Sequence, residues 1–391
     1  MDKTIKKEIE ELTPDLIAWR RDFHRHPEIA FQEFRTSGVI REFLERWGLE
    51  VKPMAKTGLR AVLKGGSSGT TVALRADMDA LPLKEKGKKE YISQNPEATH
   101  ACGHDGHMAI LMGVVRILIN RKENLPGNVV FLFQPSEELP PGGAEPMVKE
   151  GALDGVDAVF GLHLWQPLPT GAIGIVKGPM MAQADNFSLI VKGKAGHGSM
   201  PHTAVDPIYA ASQLVVSLQS VVSRNNDPLK PLVVSFGTIQ GGTIYNIIPE
   251  SVALTGTVRT FQPEVQAMAK RRIQEISEKT GGALGAEVEF VYENGYPPLI
   301  NAPEMVDFVK EVAGDILGED RIVPFSPVMG GEDFAYYLQK KPGAFFFLGM
   351  GDGQHAPHHH PEFDLDEKAL PLGTHLLAEI ALEYLKKNRP V

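Results

Sequence analysis

The stretch His100-Ala101-Cys102-Gly103-His104-Asp105-Gly106-His107 gathers three histidines, a thiol and a carboxylate within eight residues. A lone cysteine is usually a small buried hydrophobe, and a lone histidine a satisfied polar group. All of them together, just before an apolar helical run, point instead to metal ligation. Cys102 and His104 flank one glycine, so a turn can aim both at a single ion. A metal-bound cysteine is a thiolate, so ligation would leave Cys102 deprotonated and shielded.

A second cluster, Gln134-Pro135-Ser136-Glu137-Glu138, closes the apolar run Val129 to Phe133. Adjacent acids are ordinarily a solvated face. In open α/β sheets, however, ligands gather outside the carboxyl ends of strands. Three strand-like runs end here on side chains of catalytic type: one reaches Asp77 and Asp79, another Glu137 and Glu138, the third His163. The last cluster, His355-Ala356-Pro357-His358-His359-His360-Pro361, follows the apolar run Phe345 to Leu348. As a solvated loop it needs no purpose; returned to the same sheet edge, it supplies a final ligand. Cysteine, histidine, glutamate and two further histidines suit zinc or another first-row divalent ion. Five ligands exceed the three of an ordinary catalytic zinc, whereas two ions about 3.5–4 Å apart use them all. The remaining glutamate is then free to take a proton from a water made acidic by the ions and pass it to a departing amine.

The elements that must position these groups read as α/β. Val72 to Arg75, Val129 to Phe133 and Ala158 to Leu162 are short, nearly continuous apolar strands of the kind buried on both faces, and Met108 to Ile119 has helical length. The texture then changes. Phe187 to Val191, Leu232 to Ile239, Val252 to Val258 and Glu287 to Tyr292 read as strands, with helices over Asp206 to Val222 and Pro263 to Lys279. That order, βαββαβ, is ferredoxin-like. The expected organisation is a catalytic domain over 1–183, an inserted α+β domain over 184–297, and completion of the first domain by 298–391, where Met305 to Ile316 is helical. The first domain is predicted to hold a mixed central sheet with helices on both faces.

Composition narrows the classes. With 391 residues the chain can build cores that need no staples, and its one cysteine, Cys102, excludes an internal disulfide. The 49 acidic against 40 basic residues leave no basic stripe for a phosphate backbone, so nucleic acid is not an expected partner. The N-terminus is charged, without a signal-peptide core, and no run approaches the roughly 18 apolar residues of a membrane span. A soluble, cytoplasmic protein is expected.

These residues resemble the co-catalytic metallopeptidase family of aminoacylases and carboxypeptidases, in the branch of hippurate hydrolases, auxin-conjugate hydrolases and N-acetyldiaminopimelate deacetylases. The resemblance spans nearly the whole chain. It runs from Trp19 to Glu28 through Arg75 to Pro82, His100 to His107, Phe133 to Glu138 and Gly142-Gly143-Ala144. It continues at Gly161-Leu162-His163, Gly196-His197-Gly198, Asn246 to Pro249, Gly256 to Thr260, Gly331 to Phe334 and His359-His360-Pro361. It implies a metallopeptidase-type catalytic domain with Cys102, His104, Glu138, His163 and His359 as metal ligands and Glu137 as general base. His359 is selected over His358 and His360 by counting back two residues from Pro361. Two divalent ions per subunit are implied, zinc first, with manganese, cobalt or nickel as alternatives. Asp77 corresponds to a buried aspartate that orients a ligand. Where related branches carry a metal-binding histidine this chain has Arg75, which is therefore not counted among the ligands. His24 and His26 match the family but are read as structural.

The resemblance makes the inserted domain a lid and dimerisation domain, hence a homodimer or higher homo-oligomer. His197 would stabilise the tetrahedral oxyanion, from the neighbouring subunit in dimeric relatives. Asn246 and Arg259 would hold the substrate carboxylate. The implied activity is metal-dependent hydrolysis of the amide bond of an N-acyl-amino acid. A carboxypeptidase acting on short peptides is the alternative, and an inactive binding homologue a further one. A thiol amidase using Cys102 is a rival that would be indifferent to chelators.

Overall fold

A computed structural model describes residues 3–67 and 69–389 of the chain. It divides into two compact units: Met1–Met180 with Ile300–Ser326 and Asp333–Val391, and Met181–Leu299 with Pro327–Glu332.

The first unit is built on a seven-stranded sheet in the order Glu50–Met54, Gly58–Leu63, Asn128–Gln134, Thr71–Asp77, Ala158–Pro169, Gly343–Gly351, Ile173–Gly174. Its four central strands run parallel; Gly58–Leu63 runs against them and pairs antiparallel with the edge strand Glu50–Met54, and the short Ile173–Gly174 pairs antiparallel at the other edge. Parallel strands need crossover helices, which cover the sheet and explain the unbroken apolar sequences. Ala344, Phe346 and Leu348 face the large core shared with helices Lys3–Arg25, His104–Ile119 and Ala369–Lys387. Their neighbours point the other way: Phe345 meets Phe334 at 5.1 Å and Phe347 meets Phe325 at 5.2 Å between ring centres. The central strands end together, which brings the residues after Asp77, Gln134 and Phe347 to one edge.

One helix starts earlier than its apolar run suggests. It spans His104–Ile119, not only Met108 onward, so His104, Asp105 and His107 lie in its first turn and are buried. Gly103 makes this possible. Its φ of +94° turns the chain into the helix one residue before His104, a conformation costly for a residue with a Cβ.

The second unit has a four-stranded antiparallel sheet in the order Leu232–Gly241, Ser251–Thr260, Gln183–Lys192, Glu287–Tyr296. Helices Pro207–Ser220 and Pro263–Ala283 complete the ferredoxin-like βαββαβ order. The first begins where Asp206 accepts the N–H groups of Ile208 and Tyr209, the usual way to satisfy a helix start. The second buries Val265, Ala269 and Ile273, a stripe four residues apart. Among the described residues, no helix is long and apolar enough to cross a membrane.

Candidate metal centre

All five candidate ligands and the candidate base converge in the first unit. Donor atoms of Cys102, His104 and His163 lie within 4.8 Å of one another, as do those of Cys102, Glu138 and His359. The two triads share one sulfur. Glu137 forms a further group of this size with His104 and Glu138.

Each donor is aimed by its backbone setting. His104 donates its Nδ1–H to the carbonyl of Asp79 at 2.9 Å, which leaves Nε2 as the outward nitrogen. His163, in the strand Ala158–Pro169, donates its Nδ1–H to the carbonyl of Leu164 at 2.7 Å, which turns Nε2 to within 3.4 Å of Cys102 Sγ. Fixing one ring nitrogen in this way is how ligating histidines are held. His359 sits at φ +61°, and its backbone N–H donates to Ala101 at 2.8 Å, which sets the loop beside Cys102. Its Nε2 reaches to 3.3 Å from Glu138 Oε1. The flanking histidines are otherwise engaged. His358 donates to the Leu164 carbonyl at 3.0 Å and packs on Trp165 at 4.9 Å, and His360 Nδ1 accepts the Glu362 N–H.

The donor set fits a cation on three grounds. His104 Nε2 is buried without a hydrogen-bond partner, 3.9 Å from Glu138 Oε1, and an enclosed polar atom of this kind is expensive unless something binds it. Burial, followed by the neighbouring His107 and His358, holds His163 well below the ordinary imidazole range, so its Nε2 keeps a lone pair at neutral pH. Burial opposes a proton on His104, but Asp77, Asp79 and Glu138 outweigh it and push that imidazole up to about 10. So many acids around one imidazole attract positive charge, and a divalent ion can take the proton's place.

The carboxylate pair is held by other acids. Asp79 accepts the backbone N–H of Glu137 at 2.9 Å on Oδ1 and that of Glu138 at 3.0 Å on Oδ2. Glu33, fully buried, accepts the preceding amide, Ser136 N–H, at 2.9 Å. Three consecutive amides are thus clamped, with Ser136 kept at φ +50°, a left-handed conformation that costs a residue with a Cβ roughly 1–2 kcal/mol. Gly143 closes the loop by donating its N–H to the Ser136 carbonyl. A Cβ there would come within 1.9 Å of the Pro135 carbonyl oxygen.

Asp77 does not touch a candidate ligand within hydrogen-bond range. His104 Nε2 is 3.7 Å from its Oδ2. Its bonds go to His107 Nδ1 at 2.6 Å and to Arg75 at 2.5 Å. Arg75, fully enclosed, also donates to Gln134 and to Asp333. Asp333 in turn accepts from Gln134 and from the Ala144 amide, and burial pushes it up to about 6. On the far side, buried Arg20 donates to Asp105 at 2.8 Å and to Asp364 at 2.6 Å. It thereby ties the helix start at His104 to the segment that follows the His359 loop. His24 bridges Asp105 and Glu85, and His26 bonds the Asp22 carbonyl; both serve packing of the helix Lys3–Arg25.

Sequence reasoning left His107, Glu33, Arg20 and Asp333 without roles at the site. For His107 a signal existed, since it lies three residues after His104 and on the same helical face. Glu33 and Arg20 act through partners 103 and 85 residues away, and no local pattern announces that.

The remaining candidates lie in the second unit. His197 is exposed on the strand Gly196–His197, paired with Ile247–Ile248, and its Nδ1 accepts from Ser199 N–H at 3.1 Å. Asn246 is exposed, and its carbonyl accepts the Gly198 N–H at 2.8 Å. Arg259 is half-buried and donates Nε–H to Thr257 Oγ1 at 3.0 Å. Among the described residues its terminal nitrogens have no acceptor.

Comparison with known proteins agrees with this architecture. The chain is 47% identical over 301 residues to an N-acyl-L-amino acid amidohydrolase of Geobacillus stearothermophilus, covering 77% of this chain and 81% of that one. It is 40% identical to an N-acetyl-L-cysteine deacetylase of Bacillus subtilis, over 98% of this chain and 93% of the relative. The crystal structure of the Bacillus subtilis YXEP protein, described as a dinuclear metal binding peptidase from the M20 family, superposes with a TM-score of 0.83 at 37% identity, over 96% and 99% of the two chains. The sequence model of peptidase family M20/M25/M40 matches residues 73–383, and the chain belongs to that family.

Proposed function

We propose that this amidohydrolase cleaves the amide bond of N-acyl-amino acids, with two divalent ions held by Cys102, His104, Glu138, His163 and His359. The observation that carries the reading is the pair of donor triads meeting at the Cys102 sulfur, with Glu137 alongside. When bound, such ions supply Lewis acidity that polarises a carbonyl and makes water acidic near neutral pH.

The chain's own residues do the rest. Glu137 is the base: its carboxylate takes the proton of the attacking water and returns it to the amine nitrogen as the C–N bond breaks. Asp79 fixes the spacing of Glu137 and Glu138 through their amides, which keeps the proton acceptor in place between turnovers. Asp77 acts one step removed, by holding His107. Three roles are assigned to the second unit. His197 donates to the oxyanion, and Asn246 and Arg259 receive the substrate carboxylate, which the unoccupied guanidinium donors of Arg259 favour.

We read the second unit as a lid and dimerisation domain. In support, Ile208, Tyr209 and Val216 on the helix Pro207–Ser220, with Ile239, Ile244, Tyr245 and Ile247, are exposed large apolar side chains of this unit, the composition of a surface that pairs. Thiolate and imidazole donors make zinc the expected ion, ahead of manganese, cobalt or nickel. Reliance on a single reduced thiol fits the cytoplasm.

Glu137→Gln tests the reading. It should retain two ions and lose at least about a thousandfold in turnover. Undiminished hydrolysis would remove Glu137 from its role. Assaying the loaded parent on N-acyl-amino acids and short peptides then separates the acylase from the carboxypeptidase.

A further inference from the structure

One carboxylate outside the metal centre is buried with an oxygen that accepts no hydrogen bond. Glu379, in the helix Ala369–Lys387, is 3% exposed, and its Oε1 is enclosed without a hydrogen bond. Its neighbour one turn earlier, His375, lies 3.8 Å away, beyond hydrogen-bond length. Glu379 lines a groove of about 410 Å³ between this helix and the helix Pro303–Leu317.

The groove is mixed in character. Phe308, Val312 and Ile316 supply an apolar wall at four-residue spacing, one stripe of their helix. Around them stand Glu311, Asp315, Glu383, Lys386 and Lys387. Both lysines are committed. Lys386 pairs with Glu383 at 2.7 Å, and Lys387 pairs with Glu311 at 3.4 Å while covering the Phe308 ring. Glu379 and Asp315 are left without a lysine or arginine partner among the described residues. Enclosing a carboxylate oxygen without a hydrogen bond is unfavourable, so its place in the lining of a groove favours a positive ligand. The residue groups able to cage a metal ion do not include Glu379, which argues against a bare cation.

We propose that this groove binds a small organic ammonium ion, its N–H donors on Glu379 and its apolar body on Phe308, Val312 and Ile316. An ammonium brings charge and up to three donors to an acceptor-only group. Its hydrocarbon part displaces water from the aromatic wall. The volume lies within the range of small-molecule sites. The site shares no residue with the metal centre.

The test uses the metal-loaded protein and butylammonium chloride as probe, with 1-butanol as the neutral control. Calorimetry should show butylammonium binding to the parent at concentrations that leave its hydrolysis unchanged, which excludes amines held at the metal centre. Glu379→Gln should bind at least about tenfold more weakly, with hydrolysis within about twofold of the parent. The probe, and not butanol, should shift the Val312 methyl resonances of the parent and raise its Tm, readouts that need no variant to fold. Glu379→Leu should melt higher than the parent without probe, because a carboxylate buried without a hydrogen bond is gone. Equal binding by Glu379→Gln or equal binding of butanol would overturn the proposal. So would no binding to the parent, the outcome expected if His375 alone neutralises the carboxylate.

Discussion

His107 donates its Nδ1–H to Asp77 Oδ1 at 2.6 Å and accepts the backbone N–H of Leu164 on Nε2 at 2.9 Å. Both ring nitrogens are used, so His107 has no lone pair for an ion although it lies in the first turn of the ligand-bearing helix. It bolts the strand end that carries His163 to the strand end that carries Asp77. Replacing it with alanine leaves all five donors present but unbraced. His107→Ala should lower ion affinity by about 10- to 100-fold, the usual cost of losing a group behind a ligand. Competition with a chelator of known affinity measures this; an unchanged dissociation constant would mean His107 only fills space.

Glu33 sets a pH dependence of stability. Burial pushes its carboxyl up to about 7, against the Thr57 hydroxyl bond and with help from the Asp79 charge. In the unfolded chain a glutamate titrates near about 4.3. Between those values the folded protein keeps a proton that the unfolded chain has released. The advantage is therefore full below about pH 4.3 and is lost as pH rises through 7, a span of roughly 4 kcal/mol at most. Urea unfolding of the parent and of Glu33→Gln at about pH 5 and 7.5 should show the parent losing stability relative to the variant as pH rises. Parallel pH profiles would contradict the assignment.

Ion binding should release protons. Burial, and then the charges of Glu138 and Glu137, push the Cys102 thiol well up, so without an ion it stays protonated at neutral pH. Ligation requires the thiolate. Zinc titrations in buffers of different ionisation enthalpy should report proton release, and apparent affinity should fall as pH falls. A zinc affinity that does not change between about pH 6 and 8 would place the thiol outside the coordination sphere.

Much of this centre is legible in the sequence because parallel sheets put catalytic side chains at strand ends. The apolar runs Val72 to Arg75, Val129 to Phe133 and Ala158 to Leu162 mark three of the four central strands, and the polar residues that close them are those that converge. The helix start at His104 is not legible from apolar periodicity, since Gly103 and the buried polar residues around it break the pattern. The clamps on Ser136, Glu137 and Glu138 are less legible still. Glu33 reads as an ordinary surface acid, and Asp79, although it follows an apolar strand, gives no sign that it clamps amides, until the fold brings them to amides more than fifty residues away. Arg75 closes an apolar run with no local sign of its partners, and only the structure shows its guanidinium occupied by Gln134, Asp77 and Asp333.

The central claim is that Cys102, His104, Glu138, His163 and His359 would together hold two ions, with the Cys102 sulfur common to both donor triads. Crystals of the zinc-loaded protein, measured on both sides of the zinc absorption edge, give the direct test. Two anomalous peaks should flank Cys102 Sγ, one beside His104 and His163 and the other beside Glu138 and His359. A single peak, or two peaks of which one lies away from Cys102, would contradict the account.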